Sequence, residues 1–177
     1  MRNTRNGAVH KLSTESELYA AAIRALLRRA HSIFEMRQSL ERRAEDVTLV
    51  RGVLDRLKEK KLLDDARYAR EFARARAANR IQGRFRIARE LRARGIPDRH
   101  IEAALEEAFE ETSEEDLLKK RLDRKLRLIR GPLDERKRAS LYGSLLRSGF
   151  SSDLIRHAMR GAVGAADLPE ADALEDE

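Results

Sequence analysis

Arginine is the residue type whose number and spacing in this chain point to a chemical role, the binding of anionic groups. Residues 66–99 contain eleven arginines and three acids, a net charge of +8. A second basic stretch, residues 117–138, carries ten bases and three acids, a net charge of +7. A guanidinium presents a fixed fork of N–H donors that pairs with phosphate and carboxylate oxygens alike. These segments predict a surface that binds a phosphate backbone or an acidic protein groove.

The candidate contact residues are a subset of the arginines and lysines of these two segments. We expect Arg74, Arg84, Arg86 and Arg89 to contribute most, because few acids lie between them. In the alternative interpretation the charges only solvate helical surfaces, since arginine outnumbers lysine by 30 to 8 throughout the chain. The full candidate set is Arg67, Arg70, Arg74, Arg76, Arg80, Arg84, Arg86, Arg89, Arg92, Lys119, Lys120 and Arg124.

No combination of residues typical of an enzyme active site is present in the sequence. The chain has no cysteine, which excludes thiol nucleophiles and thiolate metal sites. Its four histidines lie far apart and form no pair at helical spacing, so we expect no metal site. There is no glycine-rich loop of the kind that cradles phosphates. We therefore predict a protein without catalytic residues or cofactors.

The composition predicts the elements that carry these charges. Hydrophobic residues make up 41% of the 177 residues, charged residues 39% and aromatic residues 5%. This balance is typical of helices with one buried stripe and wide solvated faces. We therefore predict an all-α fold.

The register of apolar residues and glycines repeats along the chain. Residues 81–105 and 135–159 share it at a shift of 54 positions, and a fainter copy lies 51 positions upstream of the first. A fixed period of this length is typical of stacked supersecondary units. We predict three tandem three-helix repeats that form an elongated helical array. The copies align at Met36, Ile87 and Leu141, at Leu40, Leu91 and Leu145, and at Ala44, Gly95 and Gly149.

The domain boundaries follow from this register and from the charge of the C-terminal segment. We predict repeats at 14–63, 64–111 and 112–163, preceded by a disordered extension at 1–13 and followed by an acidic disordered tail at 164–177. Residues 165–177 carry six acids and no base. Neither a signal peptide nor an apolar run of membrane-spanning length is found, so we expect a cytoplasmic protein without membrane contact.

Local signals place the ends of the predicted helices. Gly95 and Gly149 stand where a helix end needs a positive φ, which glycine adopts without a Cβ penalty. We expect Asp46 to cap the third helix of the first repeat. Capping boxes are expected at Thr14-x-x-Glu17, Ser32-x-x-Glu35 and Thr112-x-x-Glu115.

The apolar stripes predict which residues are buried. We expect Tyr68, Phe72 and Phe109 on core stripes, which leaves few aromatic rings for stacking on nucleic-acid bases. The predicted buried face of the first helix consists of Tyr19, Ala22, Ile23 and Leu26, at helical spacing.

Two strings stand out at the start of and within the second repeat, LLDDARYAREF at residues 62–72 and RELRARGI at residues 89–96. They resemble the signature segments of the RecX family, the regulators of the RecA recombinase. The resemblance extends over roughly residues 16–163 and implies three tandem three-helix repeats in a curved, elongated molecule. One departure is Ala44-Glu45, where a glycine and an apolar residue are usual in the family, so the turn there is expected to differ.

The resemblance implies a non-enzymatic modulator of RecA in DNA repair and the SOS response. Proteins of the family bind RecA and its filament on DNA, and they typically dampen its ATPase, strand-exchange and co-protease activities. For this chain we accordingly expect the RecA filament as partner, weak salt-sensitive contacts with single- or double-stranded DNA, and a monomeric state. Two mechanisms stay open, clamping of the filament groove and blocking of a growing filament end. Inhibition and stabilisation of the filament are both compatible with the sequence.

A general nucleic-acid-binding protein with helix–turn–helix-like units is the alternative hypothesis. The second and third helices of each repeat fit such a unit superficially. However, residues 100–116 contain eight acids and no base, and a third helix of this charge would be repelled by a DNA groove.

Overall fold

The computed structural model describes residues 11–163 and forms nine α-helices within that range. The all-α prediction is confirmed, and three helices lie in each of the predicted repeat ranges. Most of the predicted N-terminal extension, residues 1–10, and the whole predicted acidic tail, residues 164–177, lie outside the described residues. The helices are α1 (Glu15–Leu26), α2 (Ile33–Glu41), α3 (Leu49–Glu59), α4 (Asp65–Arg80), α5 (Arg84–Arg92), α6 (Asp98–Glu111), α7 (Glu114–Leu126), α8 (Glu135–Arg147) and α9 (Ser152–Val163).

The described chain separates into two compact units. The first contains residues up to Tyr68 together with Arg94–Pro97, and the second contains Ala69–Ala93 and the residues from Asp98 onward. The first unit therefore holds α1 to α3, and the second holds α5 to α9 and most of α4. The division into repeats at 14–63, 64–111 and 112–163 stays a prediction.

The core of the first unit lies between α1, α2 and α3. Leu18, Met36, Leu40 and Leu57 are completely or almost completely buried. Both predicted capping boxes of this unit are formed, because the hydroxyls of Thr14 and Ser32 accept from the N–H three residues on and the glutamates there accept in return.

The buried face of α1 differs from the predicted one. Leu18, Ala21 and Ala22 are fully buried, whereas Tyr19, Ile23 and Leu26 are only half-buried at the edge of the core. The physical reason is visible at Tyr19, whose ring is covered from outside by the Arg56 guanidinium, 4.3 Å from the ring centroid. The attraction between the guanidinium and the ring face stabilises Tyr19 at the edge of the core, where it is not fully buried.

The turn before α3 departs from the predicted cap and from the repeat register. Thr48, not Asp46, occupies the cap position, and the Asp46 carboxylate accepts hydrogen bonds from the N–H and the hydroxyl of Thr48. Ala44 lies in a short parallel bridge with Leu12, in which the Leu12 N–H donates to Arg43 O at 2.8 Å and the Glu45 N–H donates to Leu12 O at 2.9 Å. Extended pairing explains why no glycine is needed at this position.

In the second unit, α5 packs on α6, and α7, α8 and α9 pack on one another. Ile87, Leu91, Leu118 and Leu145 are fully buried there. The predicted cap of α7 at Thr112 is wrong. Ser113 occupies the cap position without a side-chain hydrogen bond, and the carboxylate of the neighbouring Glu114 accepts from the Arg84 N–H of α5 at 2.9 Å.

The buried stripe of α4 consists of alanines and not of the predicted aromatic residues. Ala69, Ala73 and Ala77 are buried at i, i+4 and i+8, whereas Tyr68 and Phe72 are half-buried beside this stripe. The Phe72 ring is covered by the Arg76 guanidinium at 4.7 Å. Phe109 is buried as predicted.

Gly95 and Gly149 end their helices with φ values of 71° and 92°, which confirms the predicted helix stops. In the first unit, the Ser32 hydroxyl donates to Arg94 O at 2.7 Å, and a Cβ on Gly95 would lie 2.5 Å from Phe34 Cβ. Phe34 therefore covers this glycine closely. We call the contact of residues 32–34 with residues 94–95 the first joint.

The corresponding positions of the second unit form a second joint, in which the main chain of residues 83–85 contacts that of residues 148–149. The Gly83 N–H donates to Ser148 O at 2.9 Å, and the Phe85 N–H donates to Gly149 O at 3.0 Å. A Cβ on Gly83 would lie only 2.3 Å from Gly149 O. This joint fixes the first turn of α5 and requires glycine at both positions.

Candidate binding surface

The arginines of α4 form ion pairs with the acids of α6. Arg74 Nη2 lies 2.9 Å from Glu107 Oε1 and 2.8 Å from Glu111 Oε1, and Arg70 Nε lies 3.8 Å from Glu107 Oε2. Two blocks of opposite charge in the sequence therefore meet on the surface of the second unit. Arg70 and Arg74, both predicted to bind a partner, are engaged within the chain.

Glu90 of α5 is the centre of a second ionic cluster. Its carboxylate accepts from Arg86 Nε at 3.0 Å and Gln82 Nε2 at 3.2 Å, and its other oxygen lies 3.3 Å from Arg76 Nε. Burial alone would raise the pKa of Glu90, but the hydrogen bond from Arg86 and the charge of Arg76 outweigh it, and the pKa is lowered. The carboxylate thus holds three elements of the second unit together in its ionised form.

Replacing Glu90 by glutamine should reduce the pH dependence of stability. Because the folded-state pKa of Glu90 is below its ordinary value of 4.5, its contribution is complete above about that pH and is lost as the pH falls through the folded-state value. Urea unfolding at about pH 7 and about pH 3.5 measures the effect. The wild-type midpoint should fall further on acidification than that of Glu90→Gln, whereas exposed Glu102→Gln should behave like wild type. Equal acid sensitivity of wild type and Glu90→Gln would contradict the cluster.

Two further candidate arginines are also paired. Arg84 lies in the second unit between Glu114, at 3.3 Å from Nε to Oε2, and the Phe109 ring, at 4.9 Å from its centroid. Arg92 Nε lies 2.7 Å from Asp98 Oδ1 on the exposed surface. Of the four arginines expected to contribute most, only Arg89 has no ion pair within residues 11–163.

The candidate cations that stay available for a partner form a smaller set. Arg67 does not belong to this set, because it lies in the first unit and donates to Lys61 O at 3.4 Å. Five others are exposed and, within the described part of the chain, take part in no side-chain hydrogen bond or ion pair. We call them the unpaired cations: Arg80, Arg89, Lys119, Lys120 and Arg124.

Arg121 is a structurally important cation outside the predicted set. Its Nη1 donates to Arg80 O at 2.9 Å and to Ile81 O at 3.0 Å, so it caps the carbonyl end of α4. Burial lowers its pKa, and the nearby positive charges of Arg86 and Arg124 lower it further. The one sequence signal near this contact is Gly83, three residues after α4 ends, and it does not identify the side chain that reaches the end of the helix.

The described residues contain neither a metal-binding cluster nor a membrane-spanning helix. Among residues 11–163, no group of three or more histidines, cysteines or acids is placed to hold a metal ion. No helix in the same range is both long and apolar enough to span a bilayer.

Family models match two segments that contain most of the second unit together with residues 64–68 and 94–97 of the first unit. They are the RecX second three-helix domain, at residues 64–105, and the RecX third three-helix domain, at residues 113–159. These ranges contain α4 and α5 with most of α6, and α7 and α8 with most of α9.

Curated relatives and solved structures extend the similarity to most of the chain. Regulatory protein RecX of Halorhodospira halophila is 39% identical over 143 residues, covering 80% of this chain and 86% of the relative. Regulatory protein RecX of Thermobifida fusca is 30% identical over 165 residues, covering 91% and 89%. The crystal structure of RecX from Lactobacillus salivarius shares the fold with a TM-score of 0.69 at 20% identity, covering 83% of this chain and 95% of the other. These relatives bear the name of a regulatory protein and not of an enzyme, in agreement with the predicted class. The chain belongs to the RecX family.

Proposed function

We propose that this chain is a cytoplasmic regulator that binds the RecA recombinase and its filament on DNA. Binding lowers the ATPase, strand-exchange and co-protease activities of the filament in DNA repair and the SOS response. Family membership carries the proposal, because the relatives are named regulatory proteins over most of this chain's length. The resemblance of residues 62–72 and 89–96 to the family's signature segments supplies RecA as the partner.

The distribution of charge supports an acidic or phosphate-bearing partner. Arg80, Arg89, Lys119, Lys120 and Arg124 are exposed in the second unit and are not consumed by pairs within residues 11–163. An exposed cation that has no internal partner loses less on binding, because no existing ion pair must be broken first. The unpaired cations are therefore the residues that we assign to the filament.

Charge reversal at Arg80 and Arg89 tests this assignment. The double variant Arg80→Glu, Arg89→Glu should bind RecA filaments on single-stranded DNA at least about tenfold more weakly, about 1.4 kcal/mol. Wild-type protein should reduce ATP hydrolysis by preformed filaments, and the variant should need correspondingly more protein for the same effect. Arg84 and Arg86 are unsuitable for this purpose, because their replacement also breaks contacts with Glu114 and Glu90.

The matched control reverses two exposed arginines of the first unit, Arg24 and Arg42, with the same change in net charge. This control should keep most of the wild-type affinity. An equal loss in both double variants would show that net charge alone governs binding and would remove the assignment to the second unit. Binding of naked DNA as tight as binding of the filament would favour the alternative, a general nucleic-acid-binding protein.

The amount of protein bound separates the two possible mechanisms. A monomer that clamps the groove should cosediment in proportion to the number of RecA protomers. A monomer that blocks a growing end should saturate at about one molecule per filament and should leave long preformed filaments hydrolysing ATP. We propose groove clamping, because the unpaired cations are spread over α4, α5 and α7.

A further inference from the structure

The ring of Phe85 is exposed on α5, although most large apolar side chains of the second unit are buried. Phe85 is 64% exposed. Arg89 and Arg92 follow it at i+4 and i+7 and are exposed as well, so the three side chains share one face of the helix. A single exposed hydrophobic residue is common in proteins, and exposure alone therefore proves no function.

Comparison of the two joints shows that Phe85 lacks the structural role of its counterpart. Phe34 stands 51 positions earlier, in the first joint, where its Cβ and ring cover Gly95. In the second joint the atoms nearest to an added Cβ on Gly149 belong to Arg86 and Gly83, and not to the ring of Phe85. Phenylalanine thus occupies the corresponding position of the second joint, residue 85, although its ring does not cover the glycine there.

The first turn of α5 holds Phe85 in a fixed position. The N–H groups of Gly83 and Phe85 donate to Ser148 O and Gly149 O, and the Arg84 N–H donates to Glu114 Oε1 at 2.9 Å. Because the main chain is fixed, only the two side-chain torsions of Phe85 have to be ordered when a partner binds. Because these donors already have acceptors, the start of α5 is also unavailable as a phosphate site.

The composition of this face fits an acidic protein surface. Arg89 has no ion pair within the described residues, and Arg92 is held by Asp98. An aromatic anchor beside arginine is typical of the centre of protein–protein interfaces. Platforms for single-stranded nucleic acid instead present several aromatic rings to successive bases, and this face has one.

We infer that Phe85 and Arg89 form a protein-docking surface on α5. Phe85 inserts its ring into an apolar pocket of the partner, and Arg89 pairs with a carboxylate at the rim of that pocket. The inference rests on the proposed function, in which the partner is a protomer of the RecA filament. It assigns the main hydrophobic contact of that complex to a residue outside the predicted binding set.

The test compares Phe85→Ala with Leu128→Ala, which truncates another side chain that is 80% exposed. Phe85→Ala should bind RecA filaments at least about tenfold more weakly, whereas Leu128→Ala should bind like wild type. Both variants should keep the wild-type urea midpoint, since neither removes a buried side chain. A Phe85→Tyr variant, which keeps the ring, should recover most of the affinity. Binding to a naked single-stranded oligonucleotide, measured in parallel, should be the same for all variants.

Each other outcome overturns a defined part of the inference. If wild type binds filaments and Phe85→Ala binds them equally well, Phe85 is not part of a docking surface, and the proposed function stays intact. A parallel loss of filament and oligonucleotide binding shows that Phe85 stacks on nucleic acid and overturns the protein partner. Failure of wild type to bind filaments removes the proposed function, and the inference with it.

Discussion

Gly149→Ala should lower the free energy of unfolding by about 2–6 kcal/mol, from about 1–3 for left-handed backbone strain and about 1–3 for overpacking. Gly149 has φ of 92°, a conformation that alanine adopts only with strain. The added Cβ would lie 2.4 Å from both the N and the Cβ of Arg86 and 2.8 Å from Gly83 O. These are mostly main-chain atoms of the second joint, so no flexible side chain can move aside.

Gly161→Ala is the matched control for this substitution. Gly161 lies in α9 with no atom within 4 Å of an added Cβ. Alanine there should stabilise the protein by up to about 1 kcal/mol, through its better helix propensity. Urea unfolding followed by circular dichroism measures both variants. Equal and small effects at the two glycines would show that the second joint is not closely packed.

Leu91→Ala should destabilise the protein by about 2–5 kcal/mol, the range for removing a large aliphatic side chain from a core. Leu91 is fully buried in α5, the helix that carries Phe85 and Arg89. The cavity would loosen the packing of α5, which contacts α6 in the second unit. Urea unfolding provides the value, and a loss below about 1 kcal/mol would mean that the site collapses around the smaller residue.

Leu91→Met serves as the control, because a volume-conserving exchange usually costs less than about 1.5 kcal/mol. Comparing Leu91→Ala with Phe85→Ala also separates an effect on folding from an effect on partner binding. Weaker filament binding by Leu91→Ala should follow the unfolded fraction and disappear where the variant is fully folded. The effect of Phe85→Ala should persist under the same conditions, because its ring is exposed.

Features that depend on a few neighbouring residues could be predicted from the sequence. The boxes at Thr14 and Ser32 are formed, and Gly95 and Gly149 end their helices with positive φ. Each of these depends on hydrogen bonds or backbone sterics within about one helical turn. Local chemistry therefore decides them before the chain is packed.

The candidate surface could be predicted only in outline, because its availability depends on distant residues. The sequence shows a basic block and an acidic block, but not that Arg74 of one reaches Glu107 and Glu111 of the other, 33 and 37 positions away. Which arginine is paired and which is free is decided by the packing of α4 and α6. The same holds for Phe72, which is half-buried under the Arg76 guanidinium and does not lie on the buried stripe of α4.

The second joint leaves the solvent-facing residues of α5 free to vary during evolution. It consists of main-chain hydrogen bonds and of positions that carry no side chain, at Gly83 and Gly149. A contact of this kind places no demand on the residues that face solvent on α5, including Phe85 and Arg89. Substitutions on that face can therefore accumulate without disturbing the scaffold.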